Sequence, residues 1–600
     1  MHSMDGQAAG MTYLWPGSLG FPSAVMASML HRPPSTASLA GRALLSGVLL
    51  SVAWPPTPLA FCLFFALVPW LQGVDAILAA REGRHAMRTV WLFSWLTFLV
   101  WNGLTTWWVS IATLPGGIFA VIVNSLLMTL PVLIYVGARR RLGGMASGVA
   151  LACAWIGFEY LHMRWDLTWP WLTLGNGFAE FPSWVQWYAY TGVLGGSLWV
   201  WLVNGMIYRE LGRLAEYAIG MEKRFRGSAS QRQRLSLILA AVRPTLVIAI
   251  PMIISMVWYA KRDPDVGTPV QVALLQTNFD PHSEKFELSS RQILSRMLEA
   301  SAPALNDSLD YLVWPETALT ESIDLGELAV HPSLKRIRKL REDYPRLKVL
   351  TGINGFERFA SADEAFPAAR RFTFGNGKVQ WIGGYNAAIQ LDASAVTPHY
   401  KKGILVPGPE CFPFYEQLRW LERWMPSVAD YMGRLGRSQE RTVFYGSSAE
   451  GDTLGAAPAI CYESIFGEYM TGWANNGANL FFVITNDGWW RNSPGRKQHM
   501  AYARLRAIEC RRYVARSANT GISCIINQRG DVVASAGYDN ATVLTGTMYA
   551  NNESTPYMQH GDLLGRTALW IVAGLVLLSL VSWLTGGFLL SRPNAPRPGR

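Results

Sequence analysis

Apolar stretches of membrane length, or nearly so, recur along this chain at about 41 to 54, 58 to 74, 89 to 112, 116 to 137, 146 to 162, 187 to 208, 236 to 260 and 567 to 590. Lipid offers a backbone no hydrogen-bond partner, so a spanning segment closes its own bonds as a helix of about twenty apolar residues. The pattern predicts an α-helical membrane bundle of about eight transmembrane helices, seven before residue 261 and one after residue 566. The first two runs are short and separated only by Pro55-Pro56-Thr57-Pro58, which makes them a tight helical hairpin or a partly re-entrant pair.

Lysine and arginine are retained on the cytoplasmic side of a membrane, so loop charge tests the topology independently. Arg81, Arg84 and Arg88 fill the second loop, Arg139, Arg140 and Arg141 the fourth, and Arg209, Arg213, Lys223, Arg224, Arg226, Arg232 and Arg234 the sixth. The intervening loops carry no basic residue except Arg164 in the fifth. Both termini are expected inside, with Arg592, Arg597 and Arg600 on the C-terminal tail, and residues 261–566 outside. The expected layout is a flexible tail over 1–40, the bundle over 41–260, an extracytoplasmic domain over 261–566, a C-terminal transmembrane helix over 567–590 and a cytoplasmic tail over 591–600.

At 50% hydrophobic and 16% charged, the chain is too apolar for an ordinary soluble protein and too polar for a membrane bundle alone. Its net charge of +11 comes from basic residues beside apolar segments, not from a separate arm, so no nucleic-acid partner is expected. The cysteines at 62, 153, 411, 461, 510 and 524 form no C-x-x-C pair and the histidines no ligand pattern, so neither a disulfide framework nor a metal site is indicated. Cys411, Cys510 and Cys524 are expected to be buried.

The segment from 261 to 566 has a mixed α/β rhythm. Strands are predicted at Val270 to Gln276, Leu309 to Trp314, Val349 to Asn354, Ala457 to Cys461, Leu480 to Thr485 and Ser523 to Asn527, and helices at about 284 to 302 and 497 to 514. Residues 414–450 differ in kind: Trp420, Trp424, Met425, Tyr431 and Met432 on a charged background read as an inserted flap, either a surface excursion or a membrane-contacting lid.

Three residues at strand ends make chemical sense together. Cys461, in Ala459-Ile460-Cys461-Tyr462-Glu463-Ser464, is a candidate nucleophile. Glu316, in Val313-Trp314-Pro315-Glu316-Thr317, follows an apolar strand where a partly desolvated carboxylate gains the proton affinity of a general base. Lys402, before Gly403-Ile404-Leu405-Val406-Pro407, can set a fixed positive charge beside a developing oxyanion. Each alone has an ordinary reading: Glu316 as a helix cap, Lys402 as a solvated cation, Cys461 as a small core residue.

Taken jointly these segments resemble the nitrilase superfamily, whose Glu-Lys-Cys triad sits on an α-β-β-α sandwich. With the flanking spans, the chain is similar to the apolipoprotein N-acyltransferase family from about residue 40 onward. The likeness includes Thr106-Trp107-Trp108-Val109-Ser110-Ile111, Trp169-Pro170-Trp171-Leu172-Thr173-Leu174-Gly175, Tyr385-Asn386, and the run from Asn486-Asp487-Gly488-Trp489 to Arg516-Ser517-Ala518-Asn519-Thr520-Gly521. The resemblance implies Glu316 as proton acceptor, Lys402 as oxyanion stabiliser and Cys461 as nucleophile. It implies Glu410, Asn386, Tyr462 and Glu463 as supporting residues. The family's Val-Pro-Phe-Gly-Glu is replaced by Val406-Pro407-Gly408-Pro409-Glu410, which keeps the spacing to Glu410 but should reshape its loop.

The same resemblance implies a cofactor-free ping-pong acyl transfer. A phospholipid would donate the acyl chain, a Cys461 thioester would carry it, and diacylglyceryl-cysteine on apolipoproteins would accept it. The setting would be the periplasmic face of a bacterial inner membrane, with the bilayer itself as a partner and a single chain as the working unit. Trp420 and Trp424 are the lid candidates. Two rival readings are a membrane-tethered amidase with water as acceptor and a transporter with a sensor domain. For the latter, Glu159 is the clearest intramembrane ionisable residue, expected to be a structural hydrogen-bonder beside Arg164.

Overall fold

The computed structural model describes residues 35–141, 144–223, 231–280, 283–373, 377, 379–394, 396–420 and 433–584. Each of the eight apolar runs carries helix: α1 (Thr36–Val52), α2 (Val68–Ala80) behind a 3-10 turn at Ala60–Phe64, α3 (Gly83–Thr106), α4 (Leu114–Leu127) and α5 (Leu130–Arg141), α6 (Gly144–His162), α7 (Val193–Lys223), α8 (Gln231–Lys261), and the C-terminal helix over Leu563–Leu584. Among the described residues, five stretches are long and apolar enough to cross a membrane: 60–80, 114–139, 144–162, 238–261 and 563–581. Five of the eight expected spans therefore meet the measure of length and composition. α1 is only 17 residues long, while α3 and α7 bury polar side chains. Ser94 accepts from Trp70 Nε1 at 3.0 Å, Asn102 accepts from Asn124 Nδ2 at 2.7 Å, and Asn204 accepts from Leu67 N at 2.9 Å. Hydrogen bonds of this kind tie helices together where no water competes.

Glu159 in α6 is buried and accepts from Trp155 Nε1 at 2.9 Å and Leu174 N at 2.8 Å. Arg164 is not its partner. It pairs instead with Asp562 at 2.8 Å and with Glu468, which fastens the fifth loop to the α/β half.

Fourteen strands follow among the described residues. β1 (Thr268–Gln276), β2 (Tyr311–Val313), β3 (Leu319–Asp324), β4 (Lys348–Phe359), β5 (Arg370–Thr373), β6 (Val379–Leu391) and β7 (His399–Lys401) come first. β8 (Phe444–Ser447), β9 (Thr453–Ile460), β10 (Leu480–Thr485), β11 (Tyr513–Ala518), β12 (Cys524–Ile526), β13 (Val532–Ser535) and β14 (Thr542–Ala550) complete the set. One sheet runs β14-β1-β2-β4-β6-β5, with β3 added on β4 and β7 on β6; the other runs β13-β12-β11-β10-β9-β8.

Side chains alternate across a strand, and the strands use both faces. Val270, Val272 and Leu274 of β1 enter the core between the sheets with Phe482 and Ile484 of β10, while Ala273 and Leu275 face a core with Ile293, Leu294 and Met297. Those last three lie on α9 (Ser290–Ser301), started by a capping box between Ser289 and Gln292. On the far face of the second sheet lie α10 (Gly467–Asn475) and α11 (Pro494–Cys510). The layers are thus helix, sheet, sheet, helix.

α11 is buried on two sides, with Lys497 exposed and Met500 and Arg504 half-buried. Ala503, Ala507 and Cys510 pack on the second sheet, whereas Ala501, Tyr502, Leu505 and Ile508 join the core of the membrane half. Gln498 fixes the seam: its Oε1 accepts from Trp171 Nε1 at 2.7 Å and Trp108 Nε1 at 3.2 Å, and its Nε2 donates to Pro55 O at 2.9 Å. The helix starts three residues before the expected 497 and stops four before 514, because Arg511 takes a left-handed backbone (φ 50°) and β11 starts at Tyr513. The expected helix at 284–302 is likewise two pieces, a turn at Glu284–Glu287 and α9, divided by the Ser289 cap.

Candidate active site

β1, β2 and β4 are parallel to one another, and so are β9, β10 and β11. In such sheets reactive groups collect beyond the carboxyl ends of strands, where the chain leaves the ladder for a loop. Glu316 follows β2 and Cys461 follows β9.

The Glu316 turn is held by its neighbours. Trp314, fully buried, donates through Nε1 to Ser301 Oγ at 3.0 Å and through its backbone to Leu350 O at 2.8 Å. A Cβ at Gly352 of β4 would stand 2.8 Å from Glu316 Cα and 2.6 Å from Thr317 N, so only glycine lets the turn lie this close to the sheet.

Lys402 follows β7 and extends its ladder, donating from the backbone to Asn386 O at 2.9 Å. Its Nζ donates to Glu410 Oε1 at 2.9 Å and Glu316 Oε1 at 3.3 Å. Asn386 Nδ2 bridges the same two carboxylates, at 2.7 Å to Glu316 and 2.9 Å to Glu410. Burial alone would strip the lysine of its proton, but the facing charges of Glu410 and Glu316 outweigh it and hold Nζ protonated well above the usual lysine range. Two carboxylates, one ammonium and one amide thus form one linked set, buried except at the half-buried Glu410, around a persistent ammonium charge.

Glu410 reaches this set through a tight loop. Its Oε2 accepts from Val406 N at 2.8 Å, its backbone N donates to Val406 O at 3.1 Å, and Gly408 N donates to Cys411 O at 2.9 Å. Gly408 has φ 93°, a conformation glycine adopts freely, with Pro409 beside it. Through this Gly408-Pro409 loop the Glu410 carboxylate reaches Lys402 Nζ.

Cys461 stands at φ 52°, the left-handed region, between β9 and the 3-10 turn Cys461–Ile465. A non-glycine residue held there is a local strain that its surroundings impose, and such positions cluster where a side chain must be presented sharply. The thiol is half-buried. Burial raises its pKa well above the usual thiol range and the Glu316 charge raises it further, while Lys402 and the Thr485 hydroxyl pull it back. The resting thiol is therefore protonated, and a base is needed to make the nucleophile.

Glu463 is fully buried and pins two loops to each other. Oε2 accepts from Ile460 N at 2.7 Å; Oε1 accepts from Gly403 N at 2.7 Å and from the Tyr400 hydroxyl at 2.5 Å. Burial raises its pKa despite these donors. Tyr462 turns into the membrane half, its hydroxyl donating to Thr168 O at 2.8 Å. The supporting residues divide accordingly: Asn386 and Glu410 touch Glu316 and Lys402, Glu463 positions the loops, and Tyr462 docks them on the bundle. Trp420 is 56% exposed, and Trp424 lies outside the described residues. Cys510 and Cys524 are buried as expected, but Cys411 is only half-buried beside the Glu410 loop.

A cluster not singled out by residue lies behind the nucleophile. Asp487, His499 and Arg516 are all fully buried. His499 Nδ1 lies 2.9 Å from Asp487 Oδ1, Arg516 Nη2 donates to Asp487 Oδ2 at 2.7 Å, and His499 Nε2 lies 3.1 Å from both Cys461 O and Ser464 Oγ. Burial pushes the Asp487 carboxyl up, but Arg516 and His499 bring it down to about 2. The signal was in the sequence as whole runs, Asn486-Asp487-Gly488 and Arg516-Ser517, without the pairing that makes them one group.

Comparison with known proteins agrees with both halves. The apolipoprotein N-acyltransferase N-terminal domain model matches residues 46–206, and the carbon-nitrogen hydrolase model matches residues 271–556. The chain is 30% identical over 544 residues to the apolipoprotein N-acyltransferase of Chlorobaculum tepidum, covering 90% of this chain and 96% of that one. It is 25% identical over 537 residues to that of Geobacter metallireducens, covering 87% and 91%. It is also similar to the Nesterenkonia AN1 amidase from the nitrilase superfamily, at 17% identity and a TM-score of 0.33, covering 50% of this chain and 97% of that one. The chain is a membrane protein of the apolipoprotein N-acyltransferase family, with its α/β half in the nitrilase superfamily.

Proposed function

We propose that this N-acyltransferase moves an acyl chain from a membrane phospholipid, through a thioester on Cys461, to the N-terminal amine of diacylglyceryl-cysteine on apolipoproteins. The observation that carries this reading is the hydrogen-bonded Glu316–Asn386–Glu410–Lys402 set, joined electrostatically to a protonated, sharply presented Cys461.

In the first half-reaction Glu316 takes the thiol proton and the Cys461 sulfur attacks the ester carbonyl carbon. Negative charge develops on the carbonyl oxygen, and the Lys402 ammonium stabilises it. The intermediate collapses by breaking the ester C–O bond, and the leaving lysophospholipid takes the proton from Glu316. In the second half-reaction the acceptor amine attacks the thioester, Glu316 removes its proton, and the proton returns to the departing Cys461 sulfur. The product carries a third acyl chain on an amide.

Asn386 keeps two carboxylates side by side by donating to both, which fixes the positions of Glu316 and Lys402 relative to each other. Docking of α11 and Tyr462 on the bundle supports a site held at the bilayer surface, where both lipid substrates reside. The arginine-bearing loops support a multi-pass protein of the bacterial inner membrane with a periplasmic catalytic domain and cytoplasmic termini. A membrane-tethered amidase would use the same triad with water as acceptor.

Full-length protein in phospholipid vesicles, given a diacylglyceryl-cysteine peptide, separates the two. Transfer yields peptide heavier by one acyl group and lysophospholipid in equal amount. Release of free fatty acid with unmodified peptide would mean hydrolysis and would overturn the transferase reading.

A further inference from the structure

A cavity of about 550 Å³ opens along one face of α11, where Arg496, Met500 and Arg504 follow one another at four-residue spacing. Glu180, from the loop after α6, lines it from the membrane half, and Ile522, Asp531 and Tyr538 line it from the α/β half. It lies on the seam between the halves, next to the stacked Phe181 and Trp184 rings, whose centroids are 4.3 Å apart. Aromatic residues of this kind favour the headgroup level of a membrane.

Arg496 is the informative residue. It is 6% exposed, and its Nε–H has no acceptor among the described residues. Its guanidinium stacks 3.8 Å over the Tyr538 ring and bonds the neutral side chain of Asn492. No described carboxylate pairs with it. Those in the cavity are already committed: Glu180 Oε2 accepts from Arg504 Nη1 at 2.8 Å, and Asp531 Oδ2 accepts from Arg529 Nε at 3.2 Å while its Oδ1 accepts from Tyr259 at 2.7 Å. Asp487 attracts Arg496 without an ion-pair contact, being bonded to Arg516 and His499; a buried cation so weakly countered gains from an anion beside it, and the planar guanidinium fork matches phosphate oxygens. Arg496 also stands in the first turn of a 17-residue helix, the end at which the backbone dipole favours negative charge.

We infer that this cavity binds the phosphodiester headgroup of a membrane lipid at a site separate from Cys461. The shared chemistry is phosphate. Its position on the membrane seam, with Met500 and Ile522 in its wall, favours a lipid headgroup over free phosphate. A headgroup held there would moor the α/β half to the bilayer surface beside α11, one turn before His499 and its contact with Cys461 O.

The test is calorimetric titration of the full-length Cys461→Ala protein, which cannot turn over, in nonionic detergent. The probes are glycerophosphoethanolamine and inorganic phosphate. The diester should bind saturably and more tightly than inorganic phosphate. Arg496→Gln should weaken it at least tenfold, with Arg496→Lys losing less. Ser535→Glu, at an exposed position of the same cavity, should weaken it comparably without disturbing a buried group. Unchanged affinity in folded Arg496→Gln or in Ser535→Glu, or no saturable diester binding, would overturn the site. Tighter binding of inorganic phosphate than of the diester would overturn the headgroup assignment.

Discussion

Glu463 and Gly403 are joined by a 2.7 Å hydrogen bond in which the buried carboxylate accepts from the backbone N–H one residue after Lys402. The other oxygen of the same carboxylate accepts from Ile460 N, one residue before Cys461. One side chain thus fixes the lysine loop to the nucleophile turn across 60 residues of sequence. Neither reacting group needs to touch the other for their geometry to be set.

Glu463→Gln replaces one acceptor oxygen by an N–H that faces donors. Leaving a buried donor unsatisfied costs about 1–3 kcal/mol, so the melting temperature should fall. Acyl-enzyme formation in a single turnover should slow by about 100-fold, the scale of a misplaced reacting group, with phospholipid KM little changed. A loss confined to KM would show that Glu463 serves substrate binding instead.

Lys402→Met should act on rate and stability together. Losing the charge at the oxyanion lowers the acylation rate by about 10²–10³-fold. It also strands Glu316 and Glu410 beside each other, and breaking a buried ion pair typically costs about 3–5 kcal/mol. Thermal melts and single-turnover acylation on the same preparation separate the two effects. A normal acylation rate in folded Lys402→Met would remove the lysine from the mechanism.

Asp487 makes part of the stability acid-sensitive. Its pKa, about 2 in the folded chain against 3.8 for the free group, is depressed. Its contribution is therefore complete above the unfolded value and is lost as pH falls through about 4 toward 2. The shift is worth about 2 kcal/mol. Melts of wild type should drop more steeply across that window than melts of Asp487→Asn, which should be less stable at neutral pH. Parallel curves for the two proteins would contradict the assignment.

The lid reading rests on Trp420, exposed at the start of the excursion, and on Trp424. Polar substitution of both should slow acylation by phospholipid and transfer to the peptide, and should raise the hydrolytic loss of thioester as water gains access. Unchanged rates in both steps would leave the excursion without a catalytic part.

Local patterns made some of this legible in the sequence. Val270 to Gln276 alternates and becomes β1, and the apolar runs ending at Trp314 and Ile460 stop where Glu316 and Cys461 leave the sheets. The partners across space were not legible. β14 pairs with β1 over more than 250 residues, and its half-exposed Thr542–Ala550 carries little apolar periodicity. α11 is buried by the sheet on one side and the bundle on the other, so most of its polar side chains face inward and no broad polar face marks its boundaries. The Asp487–His499–Arg516 group escaped for a related reason: a buried charge reads as a surface charge until its counter-charge is found. The position of Tyr462 was hidden too, because only the docked bundle supplies its acceptor, Thr168 O.

The central claim is that Cys461 carries the acyl chain, and intact mass reads it directly. Full-length protein incubated with phospholipid and no acceptor should gain the mass of one acyl chain, lose it to neutral hydroxylamine as a thioester does, and show no gain as Cys461→Ala. An adduct that persists in Cys461→Ala, or none in folded wild type, would contradict the account.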